Sequence, residues 1–313
     1  MIKMLGFRFV SKPYHGWEAG MAANGDVYES IYEFKDNTNY NADCFYQTNL
    51  LKPKFLGEER FGLYGKKYQY ILNSQKPFIV SESAPFREYN NYLRFAWSSY
   101  GWVDANCNNE NVGNERWNKF AKETNISIKE WKSRGDDIII MGQKEGDSAL
   151  AHIYDTYETF YDWVLDVILQ IRKYSDRRII IRPHPRNLSR GITLATRIAS
   201  DPNMKNVVVS ENLTKGGNQG GEGLEADFNR AYCVITYNSL SGVEAVTRGI
   251  PVYALDNMSM VWPIAHRDFS QIEKLDYTID LQDWKNKIAY TMWNRKEVSS
   301  GDAWAHLKHV YFL

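Results

Sequence analysis

In the stretch IIIRPHPRN, residues 179–187, three aliphatic residues run straight into a basic cluster of Arg182, His184 and Arg186, with Pro183 and Pro185 set between them. The unbroken apolar run follows Asp176, Arg177 and Arg178 and has the pattern of a strand buried on both faces, as parallel sheets require. The cluster then falls at the strand's carboxyl end, where open parallel sheets hold ligands in the crevice beyond the strand termini. Prolines fix φ there, so the basic side chains are aimed, and an anion is the ligand that suits them. Arg182 and Arg186 also have a structural alternative, ion pairing with Asp227 or Glu225.

Outward from this stretch the second half of the chain is regular. DDIIIMGQKEGDS reads as a strand and a glycine-containing turn, and Tyr154 to Tyr174 carries Phe160, Trp163, Val164, Val167, Ile168 and Ile171 at helical spacing. KNVVVSEN, YCVITYNS and IPVYALD read as strands, with helices over Leu224 to Arg230 and Ser241 to Arg248 between them. The alternation specifies an α/β fold with a doubly wound parallel sheet. The first half is less regular: strands near Leu5 to Val10, Val27 to Phe34 and Pro77 to Val80, a glycine-rich turn region from Ser11 to Asp26, a helix over Asn114 to Lys132, and a hinge at Ser133 to Asp137. Two helices, Leu281 to Trp293 and Arg295 to Val310, with no strand between them, complete the chain. The expected division is a first domain over 1–134, a second over 135–280, and helices over 281–313 that return to the first.

The 313 residues exceed what one core usually organises, which supports two domains. Lys plus Arg equals Asp plus Glu at 38 each, so no bulk field draws the chain toward nucleic acid or anionic lipid. A local patch remains: Lys52 to Arg94 holds eight basic against four acidic side chains. Cys44, Cys107 and Cys233 are odd in number, far apart and outside any CxxC pair, so neither a disulfide framework nor a zinc site is expected, and a reduced cytoplasm fits. The N-terminal apolar run is too short for a signal peptide or a membrane span.

Two further turns belong to the regular half. In VITYNSLSGVEAVTRGIPVYA, Val234 to Ala254, a strand ends at Thr236 and Asn238, Ser239, Ser241 and Gly242 fill the turn before a helix whose first amides attract phosphate. The plainer reading is an S-x-x-E capping box of Ser241 and Glu244, with Gly249 closing the helix before Pro251. Ser239 is expected at a ligand phosphate, and Glu244 either at a ribose or in the cap. MGQKEGDSA, Met141 to Ala149, has neither G-x-G-x-x-G nor P-loop spacing. Gly142, Gln143 and Asp147 either line the crevice or form a plain turn capped by Asp147 or Ser148.

In the first half, PFIVSESAPFREYNNYLRFAW puts Glu82 just past an apolar strand, with Arg87 and Arg94 beyond it. A carboxylate so placed is a candidate general base, or the ion-pair partner of Arg87. His15 and Glu18 in SKPYHGWEAG are rivals for the role, and His15, Glu18, Arg87 and Arg94 are the candidate substrate-binding residues.

The combination of R-P-H-P, N-S-x-S-G-x-E-A-x-x-x-G-x-P-V and the preceding G-Q-x-x-x-D-[SA] turn resembles the donor domain of glycosyltransferases built from two facing Rossmann-like domains, the GT-B fold. In motif it is most similar to capsule-type 3-deoxy-manno-octulosonate (Kdo) transferases and polysialyltransferase-like enzymes. That resemblance implies a nucleotide-sugar donor, a UDP- or CMP-sugar, its phosphate held by His184, Ser239 and Ser241 and its ribose by Glu244. His184 and Arg182 would stabilise the leaving phosphate, and no metal is implied, since helix dipole and basic side chains do that work. Across most of the chain, ESAPFREYNNYLRFAW, NERWNKF and MWNRKEVSSGDAWAHL also resemble glycosyltransferases carried by tailed bacteriophages and prophages, which implies DNA containing 5-hydroxymethylcytosine as acceptor, with a flipped-out base. A capsular or other cell-surface polysaccharide is the alternative acceptor. A nucleotide-sugar epimerase or a noncatalytic relative is the alternative of another class, because a fold by itself sets no activity.

Overall fold

The computed structural model describes residues 1–7, 16–31, 40–46, 73–87, 89, 91–132, 135–150, 152–213 and 221–313. They divide into two compact units. His15 and much of the basic stretch that begins at Lys52 lie outside the described residues.

The first unit, Met1–Pro85, Tyr89–Thr124 and Lys285–Leu313, is organised by a mixed sheet. Its strands are β1 (Lys3–Phe7), β2 (Val27–Ile31), β3 (Ala42–Tyr46), β4 (Phe78–Ser83), β5 (Tyr92–Trp97) and β11 (Met292–Asn294), in the order β11-β5-β4-β3-β1-β2. The pairs within β1 to β4 are parallel; β5 is antiparallel to β4, and β11 to β5. Helices α1 (Gly16–Ala23), α2 (Glu115–Thr124), α8 (Arg295–Ser300), α9 (Asp302–Leu307) and α10 (His309–Phe312) accompany it.

Several elements here differ from the expectation. The glycines of Ser11 to Asp26 suggested a turn region, yet residues 16–23 are helical. A Cβ on Gly20 would stand 2.0 Å from the Val298 carbonyl oxygen, so this glycine lets α1 lie against α8 and bury Trp17 and Met21. Helix α2 stops at Thr124 instead of reaching Lys132, because Asn125 takes φ 54°. At the C-terminal end, helix α7 (Gln282–Tyr290) stops before Met292–Asn294, which become the edge strand β11 with Met292 and Trp293 buried. The expected second helix is divided at Gly301, whose φ of 93° closes α8.

Aromatic packing and two charged knots hold this unit. Trp17 meets Phe95 edge-on with ring centroids 5.2 Å apart, and the Trp304 indole N–H donates to Asp26 at 2.8 Å. Arg116 forks onto Glu297 with both bonds at 3.1 Å while its guanidinium covers Trp293, 3.6 Å from the ring centroid. Such a planar fork over an aromatic face joins α2 to the last helices.

The second unit, Phe86–Glu88 and Asn125–Trp284, contains β6 (Asp137–Met141), β7 (Ile179–Arg182), β8 (Val207–Val209), β9 (Ala231–Thr236) and β10 (Val252–Ala254). All pairs are parallel, in the order β10-β9-β6-β7-β8. Strands β6, β7, β9 and β10 are buried along their whole length, as their unbroken aliphatic runs require. Helix α3 (Phe160–Ile171) lays Phe160, Trp163, Val164, Val167, Ile168 and Ile171 on the core and starts with a Thr159–Asp162 capping box. Helices α4 (Leu188–Ala199), α5 (Gly221–Arg230) and α6 (Ser241–Thr247) complete it. Among the described residues no helix is long and apolar enough to cross a membrane.

Candidate functional site

In the order β8-β7-β6-β9-β10 the chain leaves β6 toward one side of the sheet and returns to the other at β9. The loops after β6 and β9 therefore diverge at the point where doubly wound sheets open a binding crevice. Gln143 and Asn238 span it. The Gln143 amide donates to Asn238 Oδ1 at 2.9 Å, and the Asn238 backbone N–H donates to Gln143 Oε1 at 3.0 Å. Asn238 Nδ2 also donates to the Ala149 carbonyl at 2.6 Å. These two amides, expected at the crevice, are hydrogen-bonded to each other and tie the two loops together.

Gly142 brings the loop after β7 alongside. Its N–H donates to the Arg182 carbonyl at 2.7 Å, and a Cβ would lie 2.7 Å from that oxygen and 2.9 Å from His184 N. Backbone cannot yield like a flexible side chain, so Gly142→Ala is expected to displace the Pro183–Pro185 segment and to lower stability by about 1–3 kcal/mol. Thermal melting of the variant against the parent checks this.

His184 is half-buried at the carboxyl end of β7, and its Nδ1 accepts the Arg186 backbone N–H at 3.1 Å. The neutral ring then carries its proton on Nε2 as a donor. Burial first, and then the charges of Arg87, Arg186 and Lys144, push its pKa down from 6.5 to about 4. A neutral donor amid three cations is a setting in which an anion is gained and an imidazolium is not. Arg87 is expected among the substrate-binding residues of the first half of the chain; its segment, Phe86–Glu88, belongs to the second unit, with Phe86 against Trp284 at 6.3 Å. Lys144 is not among the expected site residues, although its charge directly behind the first regular strand is a usable signal.

Arg182 has a different task from the one expected. Its Nη1 bonds to Asp227 Oδ2, to Ser210 Oγ at 3.3 Å, and to the carbonyls of Asn212 at 3.1 Å and Gly223 at 3.2 Å. Arg182 and Asp227 are both buried, so the structural alternative holds: this arginine ties β7 to α5. Glu225 pairs with Arg248, and Arg186 is exposed.

The turn before α6 also differs from the expectation of free amides. The N–H groups of Gly242, Val243 and Glu244 bond to carbonyls of Ser239 and Leu240, while Ser239 N–H bonds to Thr236 Oγ1 and Ser241 N–H to Ser239 Oγ. No S-x-x-E box forms, because α6 is entered through Leu240 in helical geometry without a side-chain cap. What this turn offers is the Ser241 hydroxyl, buried and without a partner, and the half-buried Ser239. Gly242 is a packing glycine, its missing Cβ 3.0 Å from Val261 Cγ2. Glu244 is half-buried in the first turn of α6. Asp147 caps only a single 3-10 turn through Ala149 N–H at 3.0 Å.

The remaining candidates belong to the first unit. Glu82, half-buried near the end of β4, accepts the Ser83 N–H at 2.7 Å and faces Arg94 across the β4–β5 pair. Arg94 is only 4 % exposed, with Tyr100 under its guanidinium at 5.6 Å, so it is a buried cation and not part of a surface that tracks a strand. Glu18 is exposed on α1. Among the described residues no group of three His, Cys, Asp or Glu side chains is placed to hold a metal ion.

No protein-family model matches the chain, and no curated protein matches it. Solved structures do. The β-Kdo 2,7 transferase of Thermosulfurimonas dismutans KpsC matches with a TM-score of 0.53 at 13 % identity, over 98 % of this chain and 99 % of that one. The β-Kdo 2,4 transferase of the same protein matches with a TM-score of 0.50 at 10 % identity, over 91 % and 90 %. At such identity the likeness is one of fold, and it is a glycosyltransferase-like fold that this chain has.

Proposed function

We propose that the protein is a glycosyltransferase that takes a sugar from a nucleotide-sugar, with the donor phosphate seated on the second unit. The observation that carries this reading is the neutral His184 donor among Arg87, Arg186 and Lys144, at the carboxyl end of a strand in a parallel sheet with a switch point. As the glycosidic bond breaks, negative charge develops on the leaving phosphate. The His184 donor and the cationic charges that act on it stabilise that charge. Ser239 and Ser241 add hydroxyls from the turn after β9. Glu82 stays the proposed base for the acceptor hydroxyl.

Of the two acceptors, the glycan is favoured. The fold likeness over nearly the whole chain is to Kdo transferases, and the donor motifs point the same way. The hydroxymethylcytosine reading leans on the phage resemblance and on the stretch from Lys52 to Arg94, whose last member is buried. The test is incubation with CMP-Kdo and a panel of CMP-, UDP- and GDP-sugars, with capsular oligosaccharide in one arm and hydroxymethylcytosine DNA in the other. Mass gain on the glycan is the expected result. Gain on the DNA would move the acceptor to the other reading, and isomerisation of the free donor without acceptor would replace transfer by epimerisation.

A further inference from the structure

Lys144, whose charge acts on His184, heads the turn that follows β6. The Asp147 N–H donates to the Lys144 carbonyl at 3.1 Å, and Gly146 supplies the left-handed φ of 75° at the third position of the turn. Two contacts hold this turn from outside. The Gly146 N–H donates to the Tyr154 hydroxyl at 2.9 Å, and Glu145 meets Arg190, Oε2 to Nε, at 2.5 Å in an ion pair without hydrogen-bond alignment. The two partners are unequal: the Glu145 side chain is 11 % exposed and that of Arg190 61 %.

An ion pair with one partner mostly in solvent adds little to stability. Its place in the fold gives it another use. Arg190 lies in the first turn of α4, which follows His184 after the single turn Pro185–Asn187. The pair therefore joins the turn headed by Lys144 to the helix that continues from His184. Nearer the strands, the bond from Gly142 N–H to the Arg182 carbonyl joins the same two segments at 2.7 Å. One tie at the base leaves a loop free to pivot; a second, farther out, fixes its direction.

We propose that the Glu145–Arg190 pair is a positioning latch for the phosphate end: it makes no ligand contact of its own and acts by holding Lys144 toward the anion that His184 receives. This rests on the nucleotide reading above. It carries an unusual sign. Glu145 is a negative charge next to Lys144, so by Coulomb's law alone its removal tightens anion binding. A latch gives the opposite result, because a lysine on an unfastened turn must be ordered again when the phosphate binds.

Calorimetric titration of the full chain with CMP and with UDP tests this. In Glu145→Gln, which keeps the size of the side chain, affinity is expected to fall about threefold to tenfold. In a Lys144→Gln background the same substitution is expected to give no further loss, since the side chain it positions is gone. Arg190→Met, at an exposed position, is expected to repeat both results and keeps the test open if thermal melting shows Glu145→Gln unfolded. Tighter or unchanged binding in Glu145→Gln, or an equal loss from Arg190→Met with and without Lys144, would overturn the latch. Failure of both nucleotides to bind the parent would overturn the nucleotide reading, and the latch with it.

Discussion

On the proposed transfer reading, replacing His184 with alanine is expected to lower turnover about 10²- to 10³-fold, the cost of losing one preorganised donor at a developing charge. Arg87, Arg186 and Lys144 remain in that variant, so nucleotide affinity falls less than turnover does. His184→Gln keeps an N–H donor and recovers part of the loss. Steady-state kinetics with the donor varied separates the two effects; equal losses in kcat/KM and in binding would mean the ring acts in ground-state binding alone.

The same substitution has a pH signature. The imidazole pKa is depressed from 6.5 to about 4 in the folded chain. A depressed group contributes stability that is fully present above its unfolded pKa and is lost as pH falls through the folded value. The His184 contribution is therefore complete above about pH 6.5 and declines toward pH 4. His306, held at about 4 chiefly by burial and tilted against Tyr290 and Trp293, has the same acid sensitivity in the first unit. Melting curves from pH 4 to 7.5 should show a shallower acid decline for His184→Ala than for the parent, with the His306 share intact.

The second large effect concerns stability. Asp227→Ala leaves the Arg182 guanidinium buried without its counter-charge, and breaking a buried pair from one side costs about 3–5 kcal/mol. At about 2–4 °C per kcal/mol for a unit of this size, the melting midpoint falls by roughly 10 °C. Removing both partners in Arg182→Met with Asp227→Leu recovers much of that, since replacing a buried ion pair by apolar side chains is often neutral. The double variant also distinguishes the two tasks considered for Arg182. Nucleotide affinity within a few-fold of the parent is expected if Arg182 serves as a tie between β7 and α5. Complete loss in a folded double variant would return it to the phosphate.

The two halves of the chain differ in how far local pattern reaches. In the second unit, runs such as Ile138 to Met141 and Ile179 to Ile181 are buried on both faces, so composition alone marks them as parallel strands, and residues just past them must lie at one edge. Helix α4 is absent from the sequence expectation; Gly191 stands inside it, where a Cβ would meet the Tyr161 hydroxyl at 2.8 Å. In the first unit, α1 and β11 exist through contacts made from far along the chain. Gly20 is legible as a turn residue until Val298 is seen beside it, and Met292 to Asn294 look helical until β5 offers an open edge.

The site shows the same division. By itself the sequence determined that a basic cluster, a serine-rich turn and a glycine-containing turn would end three strands of one parallel sheet, because hydrophobic period and proline placement are local properties. Which of those polar groups are available was decided only by the tertiary structure. Arg182 is consumed by Asp227, Gln143 and Asn238 by each other, and the turn amides by their own carbonyls, while the charges of Arg87 and Lys144 act on His184. A buried hydrogen bond has two ends, and the second end lies elsewhere in the sequence, where only folding brings it within reach.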